Sequence, residues 1–276
     1  MLVSLSELLR DAEEKKYAVG LFNMLNLEMA RGIIDAAEAE RSPVILGVAE
    51  VHLPVVPFCY ASLIMNQIAR DASVPVCLHF DHGTDYAKIL EAIRAGFSSV
   101  MYDGSALPYE ENIRNTAEIS KVAHALGVDV EAELGHVGGA EDGQEDGAEA
   151  CYTEVSQICD FLDRSGTDAL AVAIGTAHGK YVKTPVLDIR RLSKIYQVSG
   201  KPLVLHGGSG LSDQDFRNTI LNGIRKVNIC TEMCIAAKEA YAGAYPNFEA
   251  ASVAAKQAVQ KVVAGKMRLF GSSGKA

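Results

Sequence analysis

Short apolar runs alternate along this chain with stretches whose apolar residues recur every three to four positions. The runs lie at Tyr17 to Phe22, Pro43 to Val48, Pro75 to Phe80, Ser98 to Tyr102, Val128 to Leu134, Asp168 to Ile174, Pro202 to Leu205 and Arg225 to Ile229. Each is rich in aliphatic or β-branched residues and bounded by turn or helix signals, the pattern of strands buried on both faces in a parallel sheet. An amphipathic helix is predicted at Ser4 to Lys15, ahead of the first run. Further helical periods fall at Glu28 to Glu40, Asp85 to Ala95, Glu110 to Leu126, Glu154 to Ser165 and Asp213 to Asn222, between successive runs. Eight strands separated by helices predict a single-domain α/β protein with a closed (β/α)8 TIM barrel over residues 1–276. The competing open, doubly wound sheet usually carries a G-x-G-x-x-G turn after its first strand, and here that position reads LFNMLN.

Composition narrows the function classes. The chain has 276 residues, 49% of them apolar, enough for a full core in one domain. Its formal charge of −9 argues against a nucleic-acid partner, which needs clustered Lys and Arg. The first residues, MLVSLSELLRDAEEKK, become charged too soon for a signal-peptide core, and no apolar run reaches bilayer length, so a cytoplasmic protein without a membrane partner is expected. Six cysteines contain no C-x2-C pair, which argues against structural disulfides and a cysteine zinc site.

In a barrel, chemistry sits where strands end and loops begin. The residues closing the runs are Asn23, Asp81 and His82, Asp103, Glu131 and Glu133, His178, His206 and Asn228. Three of the seven histidines, His82, His178 and His206, are each followed at once by glycine, where random placement gives roughly 0.6 such pairs. Three neutral imidazoles suit a catalytic zinc with open coordination for water or substrate oxygen. His52, His79, His124 and His136 are better read as packed or solvated, and alternation sets His79 on a different face from His82.

A second constellation concerns phosphate. His206-Gly207-Gly208-Ser209-Gly210 follows a strand and precedes a helix near Ser212, so its amides can point at an anion, although the glycines equally permit a plain tight turn. The segment Asn228-Ile229-Cys230-Thr231 ends the next strand, and barrel phosphate sites are frequently built by the loops after strands seven and eight. The long acidic, Gly-rich loop at 134–151 reads either as a mobile lid that brings an acid such as Glu141 to the substrate or as a solvated connection.

These segments resemble a known family. HFDHG at 79–83, VEAELG at 130–135, GG-x-EDG at 138–143, AVAIGTAHGKY at 171–181, LVLHGGSGL at 203–211 and VNICTE at 227–232 look like class II, zinc-dependent fructose-bisphosphate and tagatose-bisphosphate aldolases, in order along nearly the whole chain. The resemblance implies His82, His178 and His206 as ligands of one Zn2+ and Asp81 as the acid/base for the C4 hydroxyl proton. It also implies Asp103 and Glu133 at an alternate metal position, and Glu141 as the mobile-loop acid. Gly179, Gly207, Ser209, Asn228 and Thr231 match positions that bind dihydroxyacetone phosphate, often beside Na+ or K+. Gly208, Ile229 and Cys230 lie in the same two loops, Asn23 closes the first strand, and Lys183 is placed to steady a substrate phosphate.

The implied reaction is reversible cleavage of a ketose (bis)phosphate to dihydroxyacetone phosphate and an aldehyde such as glyceraldehyde 3-phosphate. Zinc stabilises the enediolate charge. Class I chemistry would need a Schiff-base lysine, but the sixth strand has none, and Lys226, at the start of the eighth run, is expected at the wrong end of the barrel. One departure bears on substrate. After Pro43 to Val48 many family members carry a serine that contacts the aldehyde half, and here the stretch is Ala49-Glu50-Val51. Another ketose phosphate, with a non-phosphorylated or different aldehyde, therefore stands as an alternative. A metal-dependent barrel hydrolase or isomerase, or a non-catalytic phosphosugar-binding protein, represents other classes. The resemblance also implies a homodimer or homotetramer, and the Ala-rich helical segment at 247–276 can pack on a neighbour or on its own barrel.

Overall fold

A computed structural model describes residues 1–139, 151–179 and 185–276. Eight parallel strands, β1 (Val19–Asn23), β2 (Val44–Ala49), β3 (Val76–Gly83), β4 (Ser99–Tyr102), β5 (Asp129–Leu134), β6 (Ala169–Val172), β7 (Leu203–Leu205) and β8 (Ile224–Ile229), close into a barrel in sequence order. The eight predicted runs are all strands, displaced at most a few residues at their ends. The helices are α1 (Leu5–Lys15), α2 (Leu27–Glu40), α3 (Phe58–Asp71), α4 (Tyr86–Arg94), α5 (Tyr109–Ala125), α6 (Ile158–Ser165), α7 (Ile189–Ser199), α8 (Asp213–Leu221), α9 (Thr231–Tyr241) and α10 (Phe248–Phe270). The C-terminal helical segment expected at 247–276 stops at Phe270, where Gly271 adopts φ 78° and caps the helix. No helix among the described residues is long and apolar enough to cross a membrane.

Two apolar layers follow from the strand period of two. Phe22, Leu46, Leu78, Phe80, Val100, Val130, Leu170, Leu203 and Val227 pack outward against the helices. The opposite parity, Val19, Leu21, Ile45, Cys77, Ala169, Ala171 and Val204, fills the lower interior. Helix α1 plugs that end, because Leu5, Leu8, Leu9 and Ala12 recur on one face and join this inner cluster. Ser4 starts the helix by accepting a hydrogen bond from the Glu7 amide.

The inner rows step upward in register. Leu21, Ile45 and Cys77 are aligned, and the next inward row contains Asn23, Gly47, His79 and Ser99. At this height the interior changes from aliphatic to polar. Asn23, His79, Asp81, Glu131, Glu133, His206, Lys226 and Asn228 are all buried.

Candidate active site

The mouth is assembled from the carboxyl ends of β3 to β8 and the loops that follow them. Strict alternation along β3 sends both His79 and Asp81 inward and would send His82 outward. The register of β3 against β4 shifts between Phe80 and Gly83, and His82 takes φ 48°, a left-handed conformation uncommon outside glycine. That turn brings His82 to the mouth as well, so consecutive residues both face the site.

His82, His178 and His206 come together there. Their ring centroids are 4.5 Å (82–206), 4.8 Å (82–178) and 5.8 Å (178–206) apart, and one ring nitrogen from each lies within 4.8 Å of the others. His178 is seated by two close backbone approaches. A Cβ on Gly207 would meet the Ala177 carbonyl oxygen at 2.5 Å, and one on Gly139 would meet the His178 carbonyl oxygen at 2.7 Å. Both glycines have positive φ, 66° and 83°, so a larger residue at either position displaces this loop.

The remaining nitrogens of two rings are anchored by carboxylates. His82 Nδ1 donates to Asp103 at 2.7 Å and His206 Nε2 donates to Glu131 at 2.9 Å, since an ionised carboxylate only accepts. His82 Nε2 and His206 Nδ1 then face one another at 2.7 Å. In neutral rings these are two lone pairs, an arrangement that needs a proton or a cation between them. Nitrogen ligands of a tetrahedral zinc lie about 3.4 Å apart, longer than the 2.7 Å of the closest pair here and within the 4.8 Å that bounds the trio. Histidines backed by carboxylates are the usual outer support of a metal site. The donor set therefore fits a divalent metal.

Charge points the same way. Among the described residues, Asp81, Asp103, Glu131 and Glu133 share this interior with one ammonium, Lys226. Burial alone would raise Asp81, but the charges of His82, Lys226 and His206 overcome it and hold the carboxyl well below its usual range. Burial likewise opposes ionisation of Asp103 and Glu131. The His82 hydrogen bond lowers Asp103, and Lys226 takes Glu131 down to about 2. Glu133 goes the other way, to about 8, through burial and then the neighbouring Asp103 charge. One Glu133 oxygen accepts from the Val137 amide at 2.9 Å, and Oε2 is buried without a hydrogen-bond partner. His82, Asp103 and Glu133 form a second group able to hold a cation. Against the cost of burial, Asp81 and Asp103 raise His82 well above the ordinary imidazole range. Burial and then the His82 charge push His178 and His206 down.

Asp81 is held on two sides. Asn23 Nδ2 donates to its Oδ2 at 2.8 Å and Asn228 Nδ2 to its Oδ1 at 3.0 Å. Asn228 in turn accepts from Lys226 Nζ at 2.8 Å, and Lys226 bonds Glu131 at 2.8 Å. This corrects the expected place of Lys226. The residue sits in the middle of β8, and its side chain runs within the barrel to the polar layer, where the ammonium is ion-paired. Sequence reasoning missed this pillar of Lys226 and Glu131 behind His206, although inward parity with Asn228 was a signal for it. His79 is packed, as expected, but lies directly below the mouth, 3.8 Å from Asp81, with Nδ1 bonded to Ser99.

The loops after β7 and β8 are joined. Ser209 Oγ accepts from the Glu232 amide at 3.3 Å, and the Gly210 amide donates to Glu232 at 2.8 Å. Lys266 of α10 bonds the same carboxylate at 2.8 Å. Thr231, expected at a strand end, is the first residue of α9, so Asn228, Ile229, Cys230 and Thr231 lead into a helix amino terminus. Gly207, Gly208 and Ser209 lie beside it, and a Cβ on Gly208 would meet the Asn228 carbonyl oxygen at 2.9 Å. Gly179 follows His178 directly. Glu141 and Lys183 lie outside the described residues.

Beside His82 a cleft of about 680 Å³ is lined by Glu50, Val51, Leu53, Pro54, Thr84 and Lys88. Glu50 accepts from the Thr84 amide at 2.7 Å and the Asp85 amide at 3.1 Å, and pairs with Lys88 at 2.9 Å.

A family profile described as "Fructose-bisphosphate aldolase class-II" matches residues 3–275. Fructose-bisphosphate aldolase of Geobacillus stearothermophilus is 42% identical over 284 residues, covering 100% of this chain and 99% of that protein. The crystal structure of the YdjI aldolase of Escherichia coli K12 superposes with a TM-score of 0.92 at 40% identity, covering all of both chains. A putative fructose-1,6-bisphosphate aldolase of Coccidioides immitis gives a TM-score of 0.92 at 31% identity, over 98% of this chain and 97% of that one.

Proposed function

The chain belongs to the class II fructose-bisphosphate aldolase family, and from that premise we propose that it is a zinc-dependent ketose-bisphosphate aldolase. It is a lyase, which sets aside the hydrolase, isomerase and non-catalytic alternatives. The substrate in this reading is of the fructose-1,6-bisphosphate or tagatose-1,6-bisphosphate type, cleaved to dihydroxyacetone phosphate and an aldehyde. The observation that carries the reading is the meeting of His82 Nε2 and His206 Nδ1 at 2.7 Å, with His178 beside them and a carboxylate behind each of the first two rings.

His82, His178 and His206 would hold the metal. When bound there it supplies Lewis-acid stabilisation of the negative charge that develops on the substrate during carbon-carbon cleavage. The protein does the rest. Asp81, oriented by Asn23 and Asn228, removes the C4 hydroxyl proton in the cleavage direction and returns it in condensation. Gly179, Gly207, Gly208, Ser209 and the start of α9 from Asn228 to Thr231 receive the phosphate of dihydroxyacetone phosphate through backbone amides and the helix dipole. The Glu232 clasp keeps those two loops in register. A monovalent cation, Na+ or K+, lies beside the phosphate, Asp103 and Glu133 offer the metal an alternate position, and Lys183 and Glu141 serve the phosphate and the carbon proton. The assembly is a homodimer or homotetramer.

A second reading concerns the aldehyde half. Among the described residues lining the cleft beside His82 there is one lysine, Lys88, and it is already paired with Glu50. This favours an aldehyde without a phosphate. One experiment tests both readings: zinc-loaded protein is incubated with dihydroxyacetone phosphate and a panel of phosphorylated and unphosphorylated aldehydes, and each product is identified with its stereochemistry. Condensation with glyceraldehyde 3-phosphate supports the bisphosphate reading, preference for an unphosphorylated aldehyde supports the second, and absence of any condensation overturns both.

A further inference from the structure

The start of α9 holds chemistry that the aldol reaction does not use. Cys230 precedes α9 as its N-cap residue and Cys234 lies in the first turn, where its amide donates to the Cys230 carbonyl at 3.1 Å. Their sulfurs lie 3.9 Å apart. Four helical residues rise about 6 Å, within the Cα separation of about 4.4 to 6.8 Å that a disulfide spans. Cys230 is buried, with its sulfur 3.9 Å from His52 Nε2, and Cys234 is half-buried.

We propose that Cys230 and Cys234 form a redox couple in which a hydroperoxide joins the two sulfurs in a reversible disulfide that disables the phosphate-binding end of α9. The Cys234 thiolate attacks one peroxide oxygen. The O–O bond breaks, water leaves, and Cys234 becomes a sulfenic acid. The Cys230 thiolate then attacks the Cys234 sulfur, and the S–O bond breaks with loss of a second water as the S–S bond forms. Two thiols are oxidised and one hydrogen peroxide is reduced to two waters.

Reactivity favours Cys234 as the first nucleophile. Its hydrogen bond with Cys230 draws the thiol below its ordinary range against the opposing effect of burial, and a helix amino terminus stabilises thiolate. Cys77, deep in the lower barrel, is pushed up to about 12 by burial and is inert by comparison. Bringing the sulfurs to bonding distance moves Cys230, which lies between Asn228 and Thr231 at the anion-binding end of the helix. That consequence rests on the phosphate assignment proposed above. Disulfide formation does not.

The test begins with the protein as isolated, treated with hydrogen peroxide, alkylated with iodoacetamide and digested with trypsin. The peptide from Val227 to Lys238 carries Cys230, Cys234 and no other cysteine. It is expected to lose two hydrogens and resist alkylation until dithiothreitol is added. In parallel the KM for dihydroxyacetone phosphate should rise about tenfold or more, the loss of one or two charge-assisted hydrogen bonds, and recover with dithiothreitol. Cys234→Ser should keep the basal activity and lose the peroxide sensitivity. Alkylation of both cysteines after peroxide overturns the proposal, as does an unchanged KM in the disulfide form or equal inactivation of Cys234→Ser. Reduced protein without aldolase activity would contradict the proposed function instead, and the peptide mass would still decide the disulfide.

Discussion

The two ends of the barrel interior are built from the same inward positions of the same strands, yet they are chemically opposite. At the α1 end the inward residues are Val19, Leu21, Ile45, Cys77, Ala169, Ala171 and Val204. Two or four residues further along, the same parity presents Asn23, His79, Asp81 and His206, and from β8 Asn228 and the long side chain of Lys226 reach the same layer. The lower end stabilises the fold by removing apolar surface from water. The upper end buries charges, which costs free energy unless every group is paired. Hydrogen bonds from Lys226 to Glu131 and Asn228, and from Asn228 to Asp81, are that pairing. A polar layer this elaborate is poorly explained by stability and well explained by a metal and a proton-transfer group.

The contrast is sharpest at Asp81. Asp81→Ala should lower kcat for aldol cleavage by about 10²- to 10⁴-fold while zinc content, measured by elemental analysis, stays at the wild-type level. Unchanged turnover would remove Asp81 from the mechanism. Lys226→Met breaks the pillar and leaves the buried Glu131 carboxylate with its His206 hydrogen bond but without its ammonium partner. It should cost about 3 to 5 kcal/mol in denaturant unfolding and also disturb activity through His206. At the opposite end Leu21→Ala should cost about 2 to 5 kcal/mol with kcat of the folded protein nearly unchanged. A large fall in kcat for Leu21→Ala, or none for Lys226→Met, would erase the distinction between the two ends. The mildest case is Ser4→Ala, which removes the cap of the plug helix and should cost about 1 kcal/mol without touching the kinetics.

The barrel was legible because eight apolar runs and the helical periods between them report burial directly. The histidine-glycine pairs and the strand-end acids mark the mouth for the same reason: the inward and loop-side positions of a barrel are fixed by topology. What the sequence concealed depends on local geometry. The left-handed turn at His82 defeats simple alternation, since Asp81 and His82 reach one site from consecutive positions. Lys226 was misplaced because its long side chain carries the ammonium well away from its Cα. Glu232, which ties the Gly210 loop to α9 and to Lys266, lies in the VNICTE motif, but its role depends on contacts between separate segments. Glu141 and Lys183 fall outside the described residues; the role of Glu141 rests on the resemblance and that of Lys183 on its place in the loop after His178.

The central claim, that three imidazoles share one metal, is tested most directly by X-ray absorption at the zinc edge of protein loaded with one equivalent of zinc. Ligation by His82, His178 and His206 predicts imidazole nitrogen scattering at about 2.0 to 2.1 Å, with no sulfur ligand. Sulfur at about 2.3 Å, or a shell without imidazole, would place the ion elsewhere and contradict the account.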